Sequence, residues 1–185
     1  MPGIIEKGTN GNALFSNQIE FVGKYAKYVV YLKDETNFFP TYVEIYVISA
    51  ILGFLVGKKG TYEGKASDDT KSVFVEQIVR HRADLKFIYR IIMLLDDADK
   101  LSLEDRKNRA FRDDPETNGD IIKANMKLFN EYVCGGLEYL YNELQVKDAD
   151  DLAEKVKKAK DFIYLIAVQN NLIEDKDLPS FSPQD

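Results

Sequence analysis

The sequence predicts an all-α fold, a single-domain bundle of five or six helices around a central apolar helix at residues 41–56, with a short strand near 27–32 as the alternative reading of that stretch. Three observations carry this. Apolar residues recur at three- and four-residue spacing along most of the chain, the period of one helix face. Start and stop signals bracket those runs. The chain has 185 residues, 45 % of them hydrophobic, and a chain of that length buries about 70 % of the surface its unfolded form exposes, so no metal or disulfide is needed to hold it. Residues 1–175 are expected to form one helical domain and 176–185 a flexible tail, since "EDKDLPSFSPQD" has two prolines and few apolar groups.

The opening ten residues are polar and glycine-rich, the composition of a loose arm. Phe15, Ile19, Val22, Ala26 and Val29 then follow the helical period, although "KYVVYL" also has the β-branched and aromatic crowding of a strand. Pro40 halts what precedes it. Thr41 and Glu44 spell T-x-x-E, a capping box in which each side chain satisfies a backbone N–H at a helix start. The helix that begins there is apolar on every side, from Tyr42 through Ile45, Ile48 and Ile51 to Leu55, and is expected to be enclosed by its neighbours. Its sixteen residues fall short of the about 20 apolar residues that cross a bilayer. Gly57 is the expected left-handed stop, followed by the polar loop "KKGTYEGKASDD".

A longer helix is expected after Asp69 or Ser72, with Phe74, Ile78, His81, Leu85, Ile88, Ile92 and Leu95 on one stripe. "DDADKLS" breaks it, Ser102 and Asp105 start a short charged helix, and "DDPETNGD" is the strongest internal loop. The next helix buries Ile122, Met126, Phe129, Val133, Leu137, Leu140 and Leu144. The last is expected to bury Leu152, Val156, Ala159, Ile163 and Ile166 behind an Asp148 cap.

Chemistry is sparse. His81 and Cys134 are the sole histidine and cysteine, so neither a zinc ligand set nor a disulfide can be assembled from paired spacings. Gly135 and Gly136 sit in mid-helix, where glycine costs roughly 1 kcal/mol against alanine; they mark a close helix crossing or, second, a backbone that approaches a ligand. Asp96, Asp97 and Asp99 crowd a helix C-terminus, where negative charge opposes the macrodipole. The loop "GKKGTYEGK" has glycines and lysines but not the G-x-x-x-x-G-K-[ST] pattern of a nucleotide cradle. A net charge of −6 disfavours nucleic acid and anionic membrane as partners. The candidates for a local anion or nucleic-acid site are Lys58, Lys59, Lys65, Arg106 and Arg109. Eleven tyrosines and eleven phenylalanines offer a second kind of surface, a partner interface at Tyr25, Tyr28, Tyr31 and Tyr139, because tyrosine suits interface cores with one wet end.

The segment "FPTYVEIYVISAILGFLVGKK", residues 39–59, through Phe39, Thr41, Glu44, Ala50, Gly53, Phe54, Gly57 and Lys58, resembles small proteins encoded beside bacterial DNA-phosphorothioation (dnd) genes. The resemblance implies an accessory protein of a DNA-modification or anti-phage locus and transfers no catalytic residue. The combined expectation is a cytoplasmic, non-enzymatic adaptor or accessory subunit without cofactor or metal, whose partner is another protein or a second copy. The alternative is a nucleic-acid-binding module that uses the lysine loop and the basic helix; an enzyme built on a carboxylate–metal site ranks last.

Overall fold

The computed structural model describes residues 3–7, 14–61, 69–97, 99–113 and 117–172. Among these, seven α-helices accompany a three-stranded antiparallel sheet, so the all-α expectation is corrected to a mostly helical fold with a small sheet. Two compact units divide the chain, Met1–Asn142 and Glu143–Asp185. The expected tail at 176–185 lies outside the described residues.

The sheet explains the correction. Strands β1 (Ile4–Lys7), β2 (Gln18–Val22) and β3 (Thr70–Val73) pair in the order β1-β2-β3, with Ile4 opposite Phe21 and Ile19 opposite Val73. Ile19 and Val22 fit a helical stripe only by coincidence of spacing; Ile19 and Phe21, two apart, are the strand period. Phe15, at φ 56°, turns the chain into β2. In β3, "TKSV" carries almost no apolar signal, and its extended form comes from ladder bonds to a strand some fifty residues earlier rather than from local preference. The stretch at 27–32, where a strand was the alternative, is helical: α1 (Lys24–Val30) runs into a π-helical turn (Tyr31–Glu35) that Thr36 closes by donating N–H and Oγ1 to the Tyr31 carbonyl, at 3.0 and 2.9 Å.

Helix α2 (Tyr42–Leu55) is bounded as its signals require. Glu44 N–H donates to Thr41 Oγ1 at 3.3 Å and Thr41 N–H to Glu44 Oε2 at 3.1 Å. At the other end Gly57 adopts φ 63°, with Lys58 N–H bonded to Gly53 O and Gly57 N–H to Phe54 O, the paired bonds of a Schellman stop. The helix is not enclosed on every side, however. Tyr42, Ile45, Tyr46, Ser49, Ala50 and Gly53 are buried, whereas Ile48, Ile51 and Leu55 face outward.

The expected long helix after Asp69 is divided into α3 (Val75–Arg80) and α4 (Arg82–Leu95), because His81 leaves the helical backbone at φ −97°, ψ 10°. Ser102 caps the short α5 (Leu103–Lys107) through Asp105 N–H at 3.1 Å, and a π-helical turn (Asn108–Arg112) follows. Helix α6 (Gly119–Glu143) buries Ile122, Met126, Phe129, Val133, Leu137 and Leu140 and is the spine of the first unit.

The second unit contains α7 (Leu152–Gln169), capped by Asp151 rather than Asp148: Asp151 Oδ1 accepts from Glu154 N–H at 3.0 Å. None of its residues is buried. Leu152, Val156 and Ile163, expected in the core, are exposed; Ala159 and Ile166 are half-buried. No helix among the described residues is long and apolar enough to cross a membrane.

Candidate functional site

The most tightly built region of the first unit is where α2 and the loop after it meet α6, and glycine is what permits the approach. A Cβ on Gly53 would stand 1.9 Å from the Tyr132 carbonyl oxygen, one on Gly136 would stand 1.9 Å from that of Ser49, and one on Gly135 would stand 2.0 Å from that of Lys58. Two mid-helix glycines thus mark a helix crossing, with the Gly57–Gly60 loop laid across the same spot and Gly60 N–H bonded to Glu131 O at 2.8 Å.

That crossing directs the two lysines of the loop to two carboxylates. Lys58 Nζ lies 3.3 Å from Glu138 Oε2, whose Oε1 accepts from Lys24 Nζ at 2.5 Å and from Tyr25 Oη at 2.9 Å. Lys59 Nζ lies 3.1 Å from Asp96 Oδ2 and 4.8 Å above the Tyr132 ring, while Tyr132 Oη donates to the same Oδ2 at 2.5 Å. Arg109 completes this second hub from below. Its guanidinium donates to the Met93 carbonyl at 3.0 and 2.7 Å and to the Asp96 carbonyl at 2.9 Å, and stands 3.6 Å from Asp96 Oδ1. Arg109 therefore satisfies the last carbonyls of α4, a role that C-terminal cations commonly fill. Of the three acids that crowd this helix C-terminus, Asp96 is buried as counter-ion to two cations, while Asp97 and Asp99 are exposed.

The electrostatics follow from this wiring. Burial opposes the charge on Asp96, but the Tyr132 and Lys59 hydrogen bonds and the nearby Arg109 outweigh it and hold the carboxyl below its usual range. Glu138 is likewise held low, by Lys24, Tyr25 and Lys58 against burial. Burial pushes the Cys134 thiol up to about 12, so it is neither thiolate nor nucleophile near neutrality. Among the described residues, no three His, Cys, Asp or Glu side chains are grouped to hold a metal ion.

The expected anion-site residues are therefore dispersed in role. Lys58 and Lys59 stand opposite Glu138 and Asp96; Arg109 is buried beside Asp96; Arg106 is half-buried on α5; Lys65 lies outside the described residues. The structure brings Lys59 and Arg109 together, around a carboxylate that the sequence reading had left apart from them. Of the tyrosines, Tyr25 is fully buried. Tyr28 stacks on Tyr141 at 4.0 Å, and Tyr31 meets the same ring edge-on at 5.2 Å, so these rings join α1 to the end of α6. Tyr139 is half-buried on α6.

The surface that sequence reasoning missed is on the outside of the same helices. Tyr46 of α2 and Tyr89 of α4 both contact the Phe129 ring of α6, at 5.8 and 6.1 Å, and α2 and α4 pack against each other, so the two helices lie side by side on the spine. The Lys59–Asp96 pair joins their C-terminal ends. Facing away from Phe129, Ile48, Ile51 and Leu55 of α2 are 36, 39 and 46 % exposed, and Phe87, Ile91 and Leu95 of α4 are 65, 36 and 54 % exposed. The signal was present in the residue types: glycine and serine occupy only the inner face of α2, so that face alone is shaped for close packing.

A family model described as DNA sulphur modification system-associated protein 4 matches residues 23–161, extending the likeness first visible at 39–59 from α1 into α7. The comparisons with curated proteins and with solved structures find no match.

Proposed function

The chain belongs to the DNA sulphur modification system-associated protein 4 family, and from that membership we propose that it serves its system as a non-enzymatic interaction subunit that docks through the outer face of α2 and α4. The observation that carries this reading is a helix apolar all round with one side left open. Such helices are ordinarily enclosed, and contiguous exposed apolar surface marks interaction sites. Two further features support docking over catalysis or nucleic-acid binding. The lysines nearest the crossing stand opposite carboxylates, which weakens their pull on phosphate. The one thiol is buried and hard to ionise.

The test is co-purification of the tagged full chain with the other proteins of its modification locus. An Ile51→Glu, Leu55→Glu variant that keeps its helical dichroism is expected to lose them; full retention of those partners would contradict the reading.

A further inference from the structure

Two uncovered apolar faces invite a partner, and they differ in extent. On α7 the outward face is three side chains of a single helix, Leu152, Val156 and Ile163, with Asp151, Lys155, Lys160 and Asp161 near them in sequence. The α2/α4 face is bordered along α4 by Asp84, Lys86 and Arg90, both signs together, and its centre carries no charge. A twofold interface sets each patch against itself, so a mixed rim is the kind that tolerates self-association.

The area agrees. The six exposed side chains together present roughly 500 to 600 Å² of apolar surface, taking ordinary full exposures for isoleucine, leucine and phenylalanine. A stable interface buries about 800 Å² per partner, and in homodimers about 65 % of that is apolar. The face thus has what one half of a homodimer needs, and interfaces between unlike, separable proteins are no more apolar than ordinary surface. We propose that the outer face of α2 and α4 is the interface of a twofold homodimer, with Phe87, the most exposed of the six, as its anchor. This rests on the reading that the face docks; it names the occupant as a second copy of this chain, so that the other proteins of the locus meet the dimer and leave when the face is broken.

Sedimentation velocity of the full chain over a concentration series tests it. The expected mass at high concentration is twice the 21.2 kDa of one chain, and Phe87→Ser and Ile51→Ser should each weaken dimerisation roughly tenfold or more, as loss of an interface anchor does, with unchanged dichroism. A Phe87→Cys chain supplies an independent readout: with Cys134 buried, mild oxidation should cross-link it, and a Leu152→Cys control should not cross-link. A strictly monomeric wild type overturns the proposal, and so does a dimer that survives both face variants. If the wild type is monomeric yet Ile51→Glu, Leu55→Glu still releases the proteins of its locus, the homodimer fails and the docking reading stands. If the wild type is monomeric and nothing is released, both fail.

Discussion

Helix α2 is apolar on both faces, and the two have opposite fates. The inner face meets α6 at backbone contact, with Ser49 and Gly53 opposite Gly136 and Tyr132. The outer face, Ile48, Ile51 and Leu55, meets no part of the first unit closely enough to be buried. Apolarity sets how much surface a helix wants covered; side-chain size sets which side its own chain covers. A fold held by glycine on one face and open on the other separates the residues that hold the fold together from those free to recruit a partner.

The largest effect should come from closing the inner face to its neighbour. Gly53→Ala places a methyl group against a carbonyl that cannot retreat without parting α2 from α6, and about 3 kcal/mol or more should be lost, the upper end of overpacking costs. Urea unfolding reads it; a loss under 1 kcal/mol would mean that the crossing can slide. Asp96→Ala should follow, at about 3 kcal/mol, because it strands the buried Arg109 and unpairs Lys59, although Lys59 reaches solvent and Arg109 keeps its carbonyls.

Acid should act through the same carboxylates. Asp96 and Glu138 have folded-state pKa values below the unfolded ones, so their contribution is complete above the unfolded carboxylate range near pH 4 and is lost as pH falls through the folded values. Stability should therefore decline below about pH 4, and Asp96→Asn should flatten that decline while lowering stability at pH 7. A variant as acid-sensitive as wild type would remove Asp96 from this role.

Thr41→Ala, which deletes the capping box, should cost about 1 kcal/mol. The smallest effect is expected on the open side, where Ile51→Ser in the monomer should change stability by no more than about 0.5 kcal/mol, as surface substitutions do.

What was legible in the sequence was local. The T-x-x-E box, the Gly57 stop, the Ser102 cap and the six-residue stripe from Ile122 to Leu140 all appear where their residues place them, whereas Leu144 falls just past the helix end. The Gly135–Gly136 pair announced a crossing, though not its partners. What was hidden was non-local. Strand β3 exists through ladder bonds to β2, the Asp96–Arg109–Lys59 hub joins three separate elements, and the open side of α2 is defined by what the rest of the chain leaves uncovered. The stripe on α7 obeyed the helical period yet found no core, since periodicity says which residues share a face and not whether anything covers it.

The most direct test sets Gly53→Ala beside Ile51→Ser in two measurements: urea unfolding of the monomer at low concentration, and sedimentation over the concentration series that tests the proposed dimer. The account predicts that Gly53→Ala loses stability and Ile51→Ser loses association alone. If Ile51→Ser destabilises the monomer as much as Gly53→Ala does, or leaves association untouched, the division of α2 into a folding face and a docking face is contradicted.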